Sequence, residues 1–261
     1  MAHRTIAGSR SLVTGASGGI GRAIALELGR LGARVVALAR REEPLQTLAD
    51  AIRAAGGEAE AVVGDVTDPA VRRAALERAQ QRFGGLDVLV NNAGVGALGR
   101  FEHAEPDVLR RLFEVNFFAA AEMIREALPL LKQGRKPIVV NVSSILGHRG
   151  LPRMSEYCAT KFALAGLSEA LRAEFVPQGI DMLVVSPGTT ESEFFDHVVD
   201  KHGGAPWPRK HAVPAEAVAR ATVKAIRRGS HEIIPNNLGR LLCWANRISP
   251  WLVDQFMARY S

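Results

Sequence analysis

Two clusters, far apart in the chain, have residue types and spacing that can do chemistry. In the first, Tyr157 and Lys161 stand four residues apart, so on a helix their side chains share one face. A phenol titrates near about 10 and is a poor acid or base at neutral pH. In the second, Thr14-Gly15-Ala16-Ser17-Gly18-Gly19-Ile20-Gly21 lies at the first turn from an apolar run into a helix-like run. Glycine there lets the backbone approach a pyrophosphate, and the helix start beyond offers unpaired N–H groups to that anion. Gly15, Ser17, Gly18, Gly19, Ile20 and Gly21 are therefore the expected dinucleotide cradle. Together the clusters point to hydride transfer to or from a nicotinamide. The ammonium of Lys161 and an oxidised nicotinamide favour the phenolate of Tyr157, lowering its pKa by about 1–3 pH units. Tyr157 then gives a proton to a carbonyl oxygen, or takes one in reverse. Ser144, thirteen residues upstream, would hydrogen-bond the same substrate oxygen and hold its developing charge.

The elements that must position these groups alternate. Strand-like runs at 11–14, 34–39, 59–63, 86–91, 137–142 and 180–185 are separated by helix-like spacing at 20–31, 42–55, 68 onward, 107–132 and 154–175. Asp68 reads as a helix cap with Pro69 at the first helical position. Repeated strand–helix units with Val- and Leu-rich strands imply an α/β chain. The expectation is a single Rossmann-type doubly wound domain over 1–261, with about seven parallel strands and helices on both faces. Its cofactor half covers about 1–145 and its catalytic and substrate half about 137–235, with C-terminal amphipathic helices over about 236–261.

The coenzyme type is read at the end of the second strand. An NAD enzyme places a carboxylate there for the ribose 2′-hydroxyl. This chain has Ala39, then Arg40 and Arg41, and a guanidinium grips a 2′-phosphate with paired hydrogen bonds. NADP(H) is preferred on this reading. Glu42 and Glu43 blunt the field, so NAD(H) is not shut out.

In these motifs, with Asp65-Val66, Asn91-Asn92-Ala93-Gly94, Asn116 and Pro187-Gly188, the chain resembles the short-chain dehydrogenase/reductase superfamily from residue 10 to about 235. The resemblance implies that Asp65 binds the adenine amino group, with the Val66 backbone beside it. It implies that Asn92, Ala93 and Gly94 support the adenosine ribose and brace the sheet. By the same likeness, Pro187, Gly188, Thr190 and Ser192 hold the nicotinamide amide, and Lys161 binds the nicotinamide ribose. Asn116 would hold a water that links Lys161 to solvent, completing a catalytic group of Asn116, Ser144, Tyr157 and Lys161. Two departures stand out: Gly18 occupies a place where many NADP-using relatives carry a basic residue, and Ser192 replaces a threonine. The resemblance also implies a homodimer or homotetramer built on the two long helices.

Composition limits the alternatives. Hydrophobic residues make 47% and charged residues 23% of 261, as in globular proteins generally. With Cys158 and Cys243 alone, no disulfide framework is expected, and a cytoplasmic setting is. Cys158 reads as packing. Residues 1–11 do not read as a signal peptide, and no run is apolar enough to span a bilayer. No His/Cys/Asp cluster has metal-ligand spacing, so no metal is expected. The net charge of +6 is concentrated after residue 200, where ten Lys/Arg face three Asp/Glu. No nucleic-acid motif accompanies it, so nucleic acid is not an expected partner.

The expected substrate is a hydrophobic carbonyl compound or alcohol. Val95, Leu98, Leu146, Leu151 and Met154, with Phe194, Phe195, Val198, Val199 and Trp207 from a lid-like segment, form a candidate pocket or ordinary core. His148 and Arg149 read as a solvated loop or as contacts for an acidic substrate. A 3-oxoacyl thioester reductase is an alternative, its acidic carrier met by Arg209, Lys210, Arg220, Lys224, Arg227 and Arg228. A nucleotide-binding protein without turnover is a remote one, because such proteins lose the tyrosine or lysine. In the tail, Leu238, Leu241, Leu242, Ala245 and Ile248 make one stripe, followed by Trp251, Leu252, Val253, Phe256, Met257 and Tyr260. The stretch 238–260 can serve as a lid, a subunit contact or a peripheral membrane contact.

Overall fold

The computed structural model describes residues 3–191, 194, 198–201 and 212–260. Seven strands form one parallel sheet: β1 (Arg10–Thr14), β2 (Arg34–Ala39), β3 (Glu58–Val63), β4 (Val88–Asn91), β5 (Ile138–Val142), β6 (Asp181–Val185) and β7 (Glu232–Ile233). Their order is β7-β6-β5-β4-β1-β2-β3. The direction of winding reverses between β1 and β4, and at such a switch point the carboxyl ends of the strands open a crevice.

The expected α/β class and strand count agree with this architecture. β7, which no sequence pattern locates, is two residues long and pairs Glu232 with Val184 and Ile233 with Val185. So short a run has no periodicity to read.

Alternation along the strands separates two apolar layers. Val35, Ala37 and Ala39 of β2 face one layer, while Val36 and Leu38 face the other. Helices α1 (Gly19–Arg30), α2 (Glu42–Ala54) and α7 (Ala215–Arg228) close the first through Ile24, Leu28, Leu48, Ile52, Val223 and Ile226. The second is closed by α3 (Pro69–Phe83) and α5 (Ala119–Leu131) through Leu76, Phe83, Met123, Ile124 and Leu131. α3 begins as expected: the Asp68 carboxylate accepts from Ala70 N at 2.7 Å and Pro69 takes the first position.

The expected helix over 107–132 is broken. α4 (Val108–Phe113) passes into a π-helical turn, Glu114–Phe118, before α5 starts. That turn carries Asn116. Its side chain accepts from Val95 N at 2.8 Å and donates to Val95 O at 2.9 Å and to Thr160 Oγ1 at 3.0 Å. π turns often sit at functional sites because the extra residue redirects a side chain. This one ties the loop after β4 to the long helix α6 (Ser155–Glu174).

A second buried polar chain fixes α6 on the sheet. Asn91 Nδ2 donates to Asn141 Oδ1 at 2.9 Å, and Asn141 Nδ2 donates to Ser168 Oγ at 2.8 Å. Buried polar groups linked in this way specify one placement of the helix. Two further helices, α8 (Asn237–Ile248) and α9 (Pro250–Met257), follow β7. Among the described residues no helix is long and apolar enough to cross a membrane.

Candidate active site

A cleft of about 690 Å³ opens at the carboxyl ends of the strands. At one end lies the glycine turn. Gly15, Ser17, Gly18, Gly19 and Ile20 line the cleft, and Gly18 caps α1 without any side chain. The first amides of α1 therefore have no side-chain acceptor and no acidic residue in the first turn to compete for them. Gly21 sits behind the turn, where a β-carbon would come within 2.3 Å of Asn92 Nδ2 and 2.4 Å of Gly15 O. Asn92 braces this turn, donating to Thr14 O at 3.1 Å and Gly15 O at 3.2 Å. Thr14 Oγ1 in turn accepts from the backbone of Asn92 and Ala93.

Beside the turn, Arg40, Arg41, Asp65 and Val66 form the cleft wall. Arg41 lies over Ser17, donating from Nε to its hydroxyl and from Nη2 to its carbonyl, both at 3.3 Å. Arg40 is exposed, with Nη1 3.9 Å from Asp65 Oδ2. Asp65 Oδ1 accepts from the backbone N and hydroxyl of Thr67. The uncapped helix end and the two guanidiniums suit a group bearing several phosphates.

Farther in, Ser144, Tyr157 and Lys161 meet. Ser144 caps the short turn Ile145–Gly147, its Oγ accepting from Leu146 N at 3.1 Å, so the turn itself fixes the hydroxyl. That hydroxyl also reaches Pro187 O at 3.5 Å and is close enough to Tyr157 to hold the phenol's pKa down. Tyr157 is only 7% exposed yet lines the cleft. Lys161 Nζ lies 5.7 Å from the Tyr157 ring centre and donates to Val142 O at 3.0 Å. Pro187, Gly188 and Thr190 form the opposite lip, and Asn92, Ala93 and Gly94 the floor. Asn116 stands one layer behind, not in the wall.

A family model of the short chain dehydrogenase matches residues 10–203. The chain belongs to the short-chain dehydrogenase/reductase family. It is an NAD(P)-dependent oxidoreductase. It is 34% identical over 257 residues to the ketoacyl reductase HetN of Nostoc sp., covering 96% of this chain and 88% of that protein. Among solved structures, a short chain dehydrogenase/reductase of Burkholderia phymatum in complex with NAD superposes with a TM-score of 0.87 at 26% identity, covering 95% and 96% of the two chains. A short chain dehydrogenase of Burkholderia cenocepacia J2315 in complex with NADP gives 0.78 at 31% identity, over 89% and 99%.

The electrostatics of this dehydrogenase differ from the sequence expectation. Burial pushes the Tyr157 phenol up, opposed in part by the neighbouring Ser144 hydroxyl. Burial in turn pushes Lys161 down to about 8. Removal from water penalises both charged forms. Stability responds to the Lys161 shift. Between about pH 8 and 10.5 the unfolded chain keeps on Lys161 a proton that the folded chain has released. Folding therefore strengthens through this group as pH rises across that window, and the gain is lost toward pH 8. From about pH 8 to about pH 10 the Tm of wild type should climb relative to that of Lys161→Met; a constant difference would contradict the shift.

The C-terminal helices supply the outer wall. Asn236, Leu238, Gly239, Leu242, Phe256 and Met257 line the cleft. Asn236 is absent from the sequence expectation, although an Asn before a helical run is a capping signal; its Oδ1 accepts from Gly239 N at 2.7 Å. Of the pocket residues expected from sequence, Val95, Leu146, Leu151, Met154 and Phe194 line the cleft, and Phe194 meets the Tyr157 ring edge-on at 5.4 Å. Leu98 packs behind them, and Cys158 is buried in the same cluster, its thiol pushed up by burial. Ser192, Phe195, Trp207, Arg209 and Lys210 lie outside the described residues.

His148 and Arg149 do not form a solvated loop. His148 Nε2 lies 2.8 Å from Glu232 Oε1 and 3.1 Å from Ser186 Oγ. Arg149 lines the cleft, donates to Asn246 Oδ1 at 3.0 Å and pairs with Asp254, which pins α8 and α9 to the catalytic turn. Among the described residues no three His, Cys, Asp or Glu side chains gather as metal ligands would.

Proposed function

We propose that this chain is an NADP(H)-dependent reductase of a hydrophobic carbonyl compound, reversible toward the alcohol, with Tyr157 as general acid and base. The observation that carries the proposal is the gathering of Tyr157, Ser144 and Lys161 in one cleft with the glycine turn, Lys161 Nζ 5.7 Å from the Tyr157 ring centre.

Bound there, the reduced cofactor supplies hydride to the carbonyl carbon. Gly18, Gly19 and Ile20 hold its pyrophosphate with their amides, and Arg40 and Arg41 its 2′-phosphate. Asp65 and the Val66 backbone take the adenine, and Asn92, Ala93 and Gly94 border the adenosine ribose. Lys161 takes the nicotinamide ribose, while Pro187, Gly188, Thr190 and Ser192 hold the carboxamide. Ser144 donates to the substrate oxygen. Tyr157, kept protonated by burial, starts in the acid form that reduction requires and gives its proton to that oxygen as negative charge gathers there. Lys161 then holds positive charge against the phenolate. Asn116 acts by bracing: both its amide hydrogens are spent on Val95 and Thr160. A β-carbon on Gly94 would stand 3.2 Å from Asn116 Oδ1 and 3.7 Å from Lys161 Nζ. Asn116 Oδ1 and Lys161 Nζ thus border the same glycine, and a water between them would relay a proton to Lys161.

The hydrophobic substrate class is supported by the wall built of Val95, Leu146, Leu151, Met154, Phe194, Leu242 and Met257. Assembly into a homodimer or homotetramer has support in Phe118 and Phe162, exposed by 47% and 45% around the two long helices. A second reading, 3-oxoacyl thioester reduction, has the likeness to HetN in its favour, with Arg220, Lys224, Arg227 and Arg228 exposed on α7.

The two are separated by following NADPH oxidation with a panel of bulky ketones and with 3-oxoacyl thioesters, free and on an acidic carrier protein. Higher kcat/KM on the ketones is expected. Preference for the carrier-bound thioester would replace the first reading by the second, and no turnover of either would end both.

A further inference from the structure

Seven of the thirteen large apolar side chains exposed among the described residues lie on α8 and α9. That is a patch, not the single scattered residues normal on a surface. Ile248 is 80% exposed, Trp244 64% and Trp251 63%, with Leu241 and Leu252 beside them. The remaining two, Leu238 and Phe256, also line the cleft. The outer apolar face is thus continuous with the mouth of the active site.

Charge says what covers this face. Arg240 and Arg247 of α8 and Arg259 just after α9 are the cations of this segment. Arg240 donates to Ile234 O at 2.9 Å, and Asp254 is the only acid between residues 236 and 261. Asp254 is already paired with Arg149. Among the described residues Arg240 and Arg247 have no ion-pair partner. A second copy meeting this face across a two-fold axis would bring like charges together with no carboxylate of this segment free to answer them. Tryptophans at an apolar surface edged by arginines are instead complementary to the boundary of an anionic bilayer.

We propose that the outer face of α8 and α9 docks on an anionic phospholipid surface, setting the mouth of the cleft against the membrane. The docking stands on this face alone. That hydrophobic substrate enters from the lipid rests on the proposed reductase activity.

The test is flotation of the full chain, without substrate, with vesicles of phosphatidylcholine alone or carrying about one third phosphatidylglycerol. Wild type should float with the anionic vesicles, and less so at about 0.5 M salt. Combined Trp244→Ser, Ile248→Ser and Trp251→Ser should cut the bound fraction by about tenfold or more. NADPH should still raise the Tm of that variant, which separates lost docking from lost folding. Arg247→Glu, a milder change, should lower binding to anionic vesicles only. Wild type left at the bottom of the gradient in low salt would overturn the proposal. So would floating of either variant as well as wild type. A wild-type oligomer that the serine variant breaks down in light scattering would overturn it too, assigning the face to a second copy. Flotation measures no turnover, so its failure leaves the reductase activity standing, and a failed ketone screen leaves the docking standing.

Discussion

Tyr157→Phe should lose about a thousandfold in kcat, while NADPH still raises the Tm of the variant as it does for wild type. The phenyl ring keeps the buried volume and the edge-on contact with Phe194, so packing changes little. What disappears is the proton that Tyr157 transfers to the substrate oxygen, together with the hydroxyl beside Ser144. General acid catalysis contributes about 10²–10⁴ in rate, and the retained positioning by Ser144 limits the fall. Single-turnover rates with saturating NADPH and a reactive ketone are the measurement. A variant within tenfold of wild type would mean that another group carries the proton, and the charge and relay roles given to Lys161 would fall with Tyr157.

The second large effect is on coenzyme choice. Arg40→Ala combined with Arg41→Ala should lower kcat/KM for NADPH by about 10²–10³ and change that for NADH by less than about tenfold. Hydrogen bonds between charged partners contribute about 1.5–3 kcal/mol each, and a 2′-phosphate takes one from each guanidinium. Exposure of Arg40 keeps the expected loss toward the lower end. Arg41 is the better placed of the two, because its hold on Ser17 already brings it over the glycine turn. Equal losses with the two coenzymes would mean that the arginines only support the loop.

Much of the site is legible in the sequence, for local reasons. Tyr157 and Lys161 share a helical face by spacing alone, and Gly15 to Gly21 mark a turn by composition alone. The parts that escape depend on contacts between distant residues or on patterns too short to register. β7 is two residues long. The π turn at Asn116 adds one residue to a helix without altering its apolar spacing, so Phe113, Phe117 and Phe118 read as continuous helix. His148 finds Glu232 eighty-four residues later, and Arg149 finds Asp254 after a hundred and five. The pKa of Tyr157 is not legible either. Four residues of spacing fix how near Lys161 comes, but only the closed fold decides how little water remains around both. The apolar tail is visible as a stripe, yet which side of it faces the cleft is a question of docking angle, on which periodicity is silent.

Asn236 shows how far the tail is integrated. It starts α8 through Gly239, and its amide lies where a side chain on Gly188 would be, 2.4 Å from the β-carbon such a residue would carry. The first turn of α8 and the lip assigned to the carboxamide are therefore seated in one another, with no room at Gly188 for a side chain. A helix pair that looks like an appendix from outside is thus keyed through Asn236 into the Gly188 loop of the cleft.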